Sequence, residues 1–236
     1  MEEYTQRTEL LLGTDALKKL NQCHVAVFGL GGVGGYAAEA LARTGIGELT
    51  LVDADAFHPS NLNRQLFATT ETLGKRKTEV AAARLKTVAP NCKIHPLDFF
   101  YTPENAHQID LSQFDYIVDA IDTVTSKIHL ICAADAAKIP LISSMGTGNK
   151  LDPTRLKITD LYKTEGCPLA RVLRRELKVR GIRRLKVVFS DEEPKKTVVP
   201  DDSSPRHAPA SAIFVPACAG LTLAAEAVKD LTKQAK

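Results

Sequence analysis

The 236-residue chain is 44% hydrophobic and 25% charged with a formal charge of +3, a balance that suits one large α/β domain and is too near neutral to define a partner. No apolar run approaches the roughly 20 residues that span a bilayer, and Met1–Thr5 lacks the basic and apolar parts of a signal peptide, so a cytoplasmic protein with no membrane association is expected. Five scattered cysteines form no C-x-x-C pair, which argues against a four-cysteine zinc site and against a secreted disulfide framework.

In chain order, residues 4–21 read as one or two short helices, with Thr14 as N-cap. An apolar strand over 24–29 stops at Gly29-Leu30-Gly31-Gly32-Val33-Gly34 and a helix over 33–44 follows. Gly29, Gly31 and Gly34 satisfy the dinucleotide fingerprint, in which glycines let the backbone approach a ligand and free helix N–H groups attract phosphate. A second strand, 48–53, ends at Asp53, where the ribose-binding acid of a βαβ nucleotide site falls. A bare tight turn needs no such glycine density, so a nucleotide is expected.

The linker from Asp55 to Thr72 is long for such a connection and reads as a functional loop. A helix near 74–88 ends before Pro90. Strand 92–97, a short helix after Pro103, strand 116–118, helix 125–137 and the segment Pro140–Ser143 follow. This alternation predicts an α/β fold: a Rossmann-like, doubly wound, mostly parallel sheet with helices on both faces. Residues 1–150 are read as the nucleotide-binding core of a single 1–236 domain. Residues 151–236 are read as a C-terminal β/α extension: strands near 156–159 and 185–189, a basic helix over 167–179, a mobile loop over 190–210 and a final helix from about Pro216 to Lys233.

Asn61, Arg64, Gln65, Lys77 and Asp122 decide between nucleotides. A triphosphate needs cations and a metal-binding carboxylate at the strand ends, and Arg64, Lys77 and Asp122 supply both. Singly each reads as a solvated residue; beside this glycine loop they form a set. A nicotinamide-dependent oxidoreductase explains Gly29, Gly31, Gly34 and Asp53 but leaves the other three without a role.

The ordered motifs GLGGVG, Asp53-Ala54-Asp55, SNLNRQ, GKRK and DAID resemble the adenylating enzymes of the ThiF/MoeB/HesA type, related to ubiquitin-activating enzymes, over residues 5 to 165. The resemblance implies ATP and Mg²⁺ as cofactors. It implies that Gly32 approaches ATP, Asp53 holds the ribose, Asn61, Arg64 and Lys77 contact the phosphates, and Asp122 binds Mg²⁺, with Asp55 and Gln65 completing the cofactor-binding set. Arg7 resembles the family's N-terminal arginine that reaches a partner subunit's ATP site, implying a homodimer; its bland alternative is a helix-surface charge.

Within the family the chain is most similar to tRNA threonylcarbamoyladenosine dehydratases, on Ala38–Gly47, Val118–Asp122, Ile139–Ile142, Asp152–Thr154, Ile158–Leu161 and Pro168–Ala170. This implies ATP-dependent cyclisation of a modified adenosine beside the tRNA anticodon. The partners implied are tRNA and a second copy of the chain, with room for a sulfur-relay protein. The rival reading is adenylation of the C-terminus of a ubiquitin-like sulfur carrier, which requires a thiol; Cys167 and Cys218, at helix starts, are its candidates. A non-enzymatic RNA- or nucleotide-binding module is the bland alternative.

An independent feature agrees with RNA. Arg171, Arg174, Arg175 and Lys178 stand on one helix face, and Arg180, Arg183, Arg184 and Lys186 extend the charge. Its alternative is a solvated helix face. The six histidines show no ligand spacing, so none is assigned to a metal.

Overall fold

Val25 and Val27 of strand β1 (His24–Phe28) face one way, and Ala26 and Phe28 the other. All four are inaccessible to solvent. A strand apolar on both faces requires cover on both, and the chain supplies it. The computed structural model describes residues 3–195 and 209–233. Its sheet has the order β3-β2-β1-β4-β5-β7-β6, formed by β2 (Glu48–Val52), β3 (Lys93–Leu97), β4 (Tyr116–Asp119), β5 (Leu141–Ser144), β6 (Leu156–Asp160) and β7 (Lys186–Ser190). All pairings are parallel except that of β6 with β7.

Helices α1 (Gln6–Leu12) and α2 (Thr14–Leu20) precede β1, and Gly13, not Thr14, occupies the N-cap of α2 with φ +89°. Glycine adopts that left-handed value without strain. The Val25/Val27 face carries the larger core, with side chains from α2, α3 (Gly34–Thr44), α4 (Lys77–Val88) and α7 (Phe214–Lys233). The opposite face is covered by α5 (Val124–Ala137), α6 (Pro168–Val179) and the segment from Phe99 to Phe114. At Gly220, α7 comes so close to α3 that a Cβ would stand 2.2 Å from the Val33 carbonyl oxygen.

The extension is part of the same sheet: β7 hydrogen-bonds to β5 and β6 closes the edge antiparallel. The expected 190–210 loop starts anchored rather than loose. Glu192 accepts the backbone N–H groups of Leu151 and Asp152, and Lys195 N donates to the Asn149 carbonyl at 2.7 Å. Residues 196–208 of it lie outside the described residues. Among the described residues no helix is long and apolar enough to cross a membrane.

Strand order reverses between β1 and β4, since the chain builds β2 and β3 on one side before returning to the other. Ligands of open α/β sheets bind at this reversal, outside the carboxyl ends of the strands. Gly29 follows β1, Asp53 follows β2, and the loop carrying Asp122 follows β4.

Candidate nucleotide site

The glycine loop must be glycine. Gly29 has φ +87°, and a Cβ there would stand 2.7 Å from the Ala120 carbonyl oxygen. A Cβ at Gly34 would stand 1.7 Å from the carbonyl oxygen of Gly29, so the turn closes on itself where α3 begins. Gly32 serves a different purpose. A Cβ there would fill a cradle walled by Pro216 at 3.3 Å and the Arg64 stem at 3.4 Å.

Asp53 reaches from β2 to the loop, its Oδ2 accepting from Leu30 N at 2.6 Å and its Oδ1 from Asp55 N at 2.8 Å. Burial pushes its carboxyl above the usual range, and the Lys77 ammonium and these two N–H groups oppose that push. Lys77 opens α4 and is 5% exposed, with Nζ 2.8 Å from Asp55 Oδ2 and 3.9 Å from Asp53 Oδ1. One buried cation thus neutralises two neighbouring carboxylates.

The 55–72 linker contributes the remaining groups through a tight turn that opens at His58. Asn61 Oδ1 accepts from His58 N at 3.0 Å, and Arg64 Nη1 donates to the Ser60 carbonyl at 2.8 Å. Gln65 is buried, its Nε2 3.8 Å from where a Cβ on Gly31 would stand, and among the described residues its Oε1 has no hydrogen-bond partner. Buried polar atoms are rarely left so. The Gly32 cradle fits a nucleotide.

Asp122 stands exposed, and among the described residues its carboxylate takes one side-chain hydrogen bond, from the Thr123 hydroxyl at 3.4 Å. An exposed carboxylate is a hard oxygen donor of the kind Mg²⁺ takes. Its loop is fixed from behind: Lys127 Nζ lies 2.9 Å from Asp119 Oδ2 and donates to the Ile121 carbonyl at 2.9 Å, and Ile121 N donates to Asp119 Oδ1 at 3.1 Å. Ser143 donates to the same Asp119 at 2.7 Å.

Sequence reasoning missed this bracing triad, whose one signal is a lysine on the buried face of a helix that leaves the Asp122 loop. It also missed the wall that α7 provides through Pro216 and the tie from Asn63 Nδ2 to the Ser211 carbonyl, 2.8 Å.

The structure brings Gly29, Gly31, Gly32, Gly34, Asp53, Asp55, Lys77, Asn61, Arg64, Gln65 and Asp122 to one end of the sheet. Arg7 is not among them. It stands exposed on α1, and no hydrogen bond or ion pair among the described residues joins it to that group. The basic stripe is also narrower than its spacing suggests. Arg174 donates to the carbonyl and hydroxyl of Thr164, Arg175 and Arg180 pair with Glu176, and Lys186 is drawn to Glu226 and Asp230. Arg171, Lys178 and Arg183 stay exposed without an ion pair among the described residues, as does Arg184, which lines a cavity of about 310 Å³ beside β5 and β6, away from the glycine loop.

The cysteines divide as follows. Cys167 is 2% exposed in the core under α6, with Cys132 packed against that cluster; Cys218 is half-buried in α7, and Cys23 and Cys92 belong to the core of the Val25/Val27 face.

Comparison with known proteins agrees with this fold. The chain is 44% identical to the tRNA threonylcarbamoyladenosine dehydratase of Bacillus subtilis (strain 168), over 96% of this chain and 94% of that one. The crystal structure of E. coli tRNA N6-threonylcarbamoyladenosine dehydratase, TcdA, in complex with AMP superposes with a TM-score of 0.90 at 37% identity, over 99% of this chain and 95% of that one. The ATP complex of the same E. coli protein gives 0.89 with the same identity and coverage. The ThiF family matches residues 5–236, from the first helix to the last, and the chain belongs to that family.

Proposed function

We propose that the chain catalyses the ATP-dependent cyclisation of threonylcarbamoyladenosine in tRNA, beside the anticodon, by adenylating the substrate carboxylate and closing the ring within the substrate. The observation that carries this reading is the likeness to a dehydratase of that name over 96% of the chain, which takes in every residue of the glycine-loop cluster. A carboxylate oxygen is a poor leaving group. Its attack on the α-phosphate of ATP expels pyrophosphate and makes AMP the leaving group of the second step. An atom of the substrate's own carbamoyl group then displaces AMP, and the net loss is one water. Because both reacting groups belong to one molecule, the second step is effectively unimolecular and needs no enzyme nucleophile.

The residues divide the work by chemistry. Asp53 accepts from the ribose hydroxyls, and the empty side-chain position of Gly32 lets the nucleotide approach. Arg64, Lys77 and Asn61 hold the phosphates and stabilise the charge of departing pyrophosphate, with Asp55 and Gln65 completing the site. Asp122 would hold Mg²⁺, whose positive charge offsets that of the phosphates. Arg7 enters from a second copy of the chain, which makes the working form a homodimer. A sulfur-relay protein is a further partner, and the setting is the cytoplasm, where tRNA is found. The buried Cys167 and half-buried Cys218 favour this route over handing a carrier protein on as a thioester, which needs an accessible thiolate.

Pyrophosphate release tests the reading. With ATP and Mg²⁺, release is expected with tRNA bearing threonylcarbamoyladenosine and not with tRNA lacking it, and the nucleoside loses the mass of one water. Absence of release with every tRNA, alongside release with a carrier protein's C-terminus, would overturn it.

The unpaired cations of the α6 region carry the tRNA contact. Reversing Arg171 and Lys178 to Glu is expected to weaken tRNA binding and to lower the slope of log K against log salt by roughly two. A salt titration of binding checks this. Reversing Arg174 instead is expected to lower stability, because it detaches α6 from Thr164.

A further inference from the structure

The end of the sheet opposite the glycine loop also gathers chemistry. In register, His24 of β1 lies beside Glu48 of β2, and Thr50 of β2 beside His95 of β3. Side chains alternate along a strand, so these four share one face of the sheet. His95 Nε2 is 2.7 Å from Glu48 Oε1, and His24 Nδ1 is 3.8 Å from the same oxygen. One ligand atom from each of the three residues lies within 4.8 Å of the others. The remaining ring nitrogen, His24 Nε2, is 2.8 Å from the hydroxyl of buried Thr50, and His24 N donates to Asp115 at 2.8 Å.

We propose that His24, Glu48 and His95 form a binding site for a divalent transition-metal cation of the zinc class at the amino ends of β1–β3.

Two imidazoles and a carboxylate are the donor set that zinc accepts with three protein ligands, leaving a fourth position for water. Tetrahedral coordination at 2.0–2.1 Å sets neighbouring ligand atoms about 3.3 Å apart, and the separations of 2.7 and 3.8 Å bracket that value. Small side-chain shifts close the difference. The Thr50 hydroxyl is the outer partner of His24 Nε2, and a metal held by Nδ1 would compete with the hydrogen bond that the ring makes to the Gln113 backbone. The site is open on one side, since the His95 side chain is 47% exposed and that of His24 14%. It is separate from the nucleotide site, because His24 and Gly29 stand at opposite ends of β1, about 16 Å apart by strand rise. Each ligand comes from a different strand, so a bound ion ties three strand ends together.

The test uses the full chain, stripped of metal and free of nucleotide, titrated with Zn²⁺ by calorimetry and with Co²⁺ by visible absorption. The proposal expects one equivalent bound at micromolar concentration or tighter. It also expects tetrahedral cobalt bands without the sulfur-to-metal charge transfer that a cysteine site produces. His95→Ala and Glu48→Gln should each weaken binding at least about tenfold and remove the rise in Tm that Zn²⁺ gives the wild type, with ATP turnover unchanged in both. These two positions are partly exposed, so the variants are expected to fold, which their melts without metal check. Failure of the wild type to bind either metal, binding unchanged in both variants, or a cobalt spectrum with sulfur charge transfer overturns the proposal.

Discussion

Replacing Asp122 by alanine is expected to cut ATP turnover by about 100-fold or more, the scale lost when one electrostatic stabiliser of a developing charge is removed. The fold should not notice. The carboxylate is exposed and among the described residues its one side-chain hydrogen bond is from the Thr123 hydroxyl, at 3.4 Å, so stability should stay within about 0.5 kcal/mol of wild type. The backbone beneath it is held by Asp119 and Lys127 through Ile121, none of which depends on the Asp122 side chain. ATP affinity measured without Mg²⁺ should be retained, since the glycine loop, Asp53, Arg64 and Lys77 are untouched, whereas the Mg²⁺ dependence of binding should disappear. Pyrophosphate release, a thermal melt and ATP binding with and without Mg²⁺ separate these effects. An alanine variant that melts like wild type and turns over at its rate would remove Asp122 from the reaction.

Much of this site is legible in the sequence because its parts are local. A glycine loop must follow a strand and open a helix to work, so Gly29, Gly31, Gly32 and Gly34 announce their own geometry, and Asp53 is identified by the strand it ends. The sheet is legible for a similar reason: strands buried on both faces read as apolar runs. Contacts between distant segments are not legible in this way. Nothing in 156–190 states that β7 pairs with β5 and leaves β6 antiparallel at the edge, because that register is set by which apolar faces remain uncovered. Helical spacing places Arg171, Arg174, Arg175 and Lys178 on one face, but only the fold shows that Thr164 claims Arg174. Lys186 likewise reads as part of a basic surface until α7 brings Asp230 against it. His24, Glu48 and His95 carry no ligand spacing because three separate strands deliver them.

Lys127→Met should cost about 3–5 kcal/mol, the penalty for removing one partner of a fully buried ion pair. Both side chains have 0% exposure, so Asp119 would keep its desolvation cost without its counter-ion, although the Ser143 and Ile121 hydrogen bonds remain. Methionine matches lysine's length and leaves little cavity, so the loss reports charge rather than packing. Urea titrations at neutral pH measure the loss, and a deficit below about 1 kcal/mol would mean that the pair behaves like an exposed one. Adding Asp119→Asn to Lys127→Met removes the stranded charge and should restore most of the stability. It does not restore the Lys127 hydrogen bond to the Ile121 carbonyl, which fixes the residue before Asp122. Turnover in the double variant should accordingly stay well below wild type while its urea midpoint recovers, and that separation distinguishes a brace for the Asp122 loop from a pair that only holds the fold.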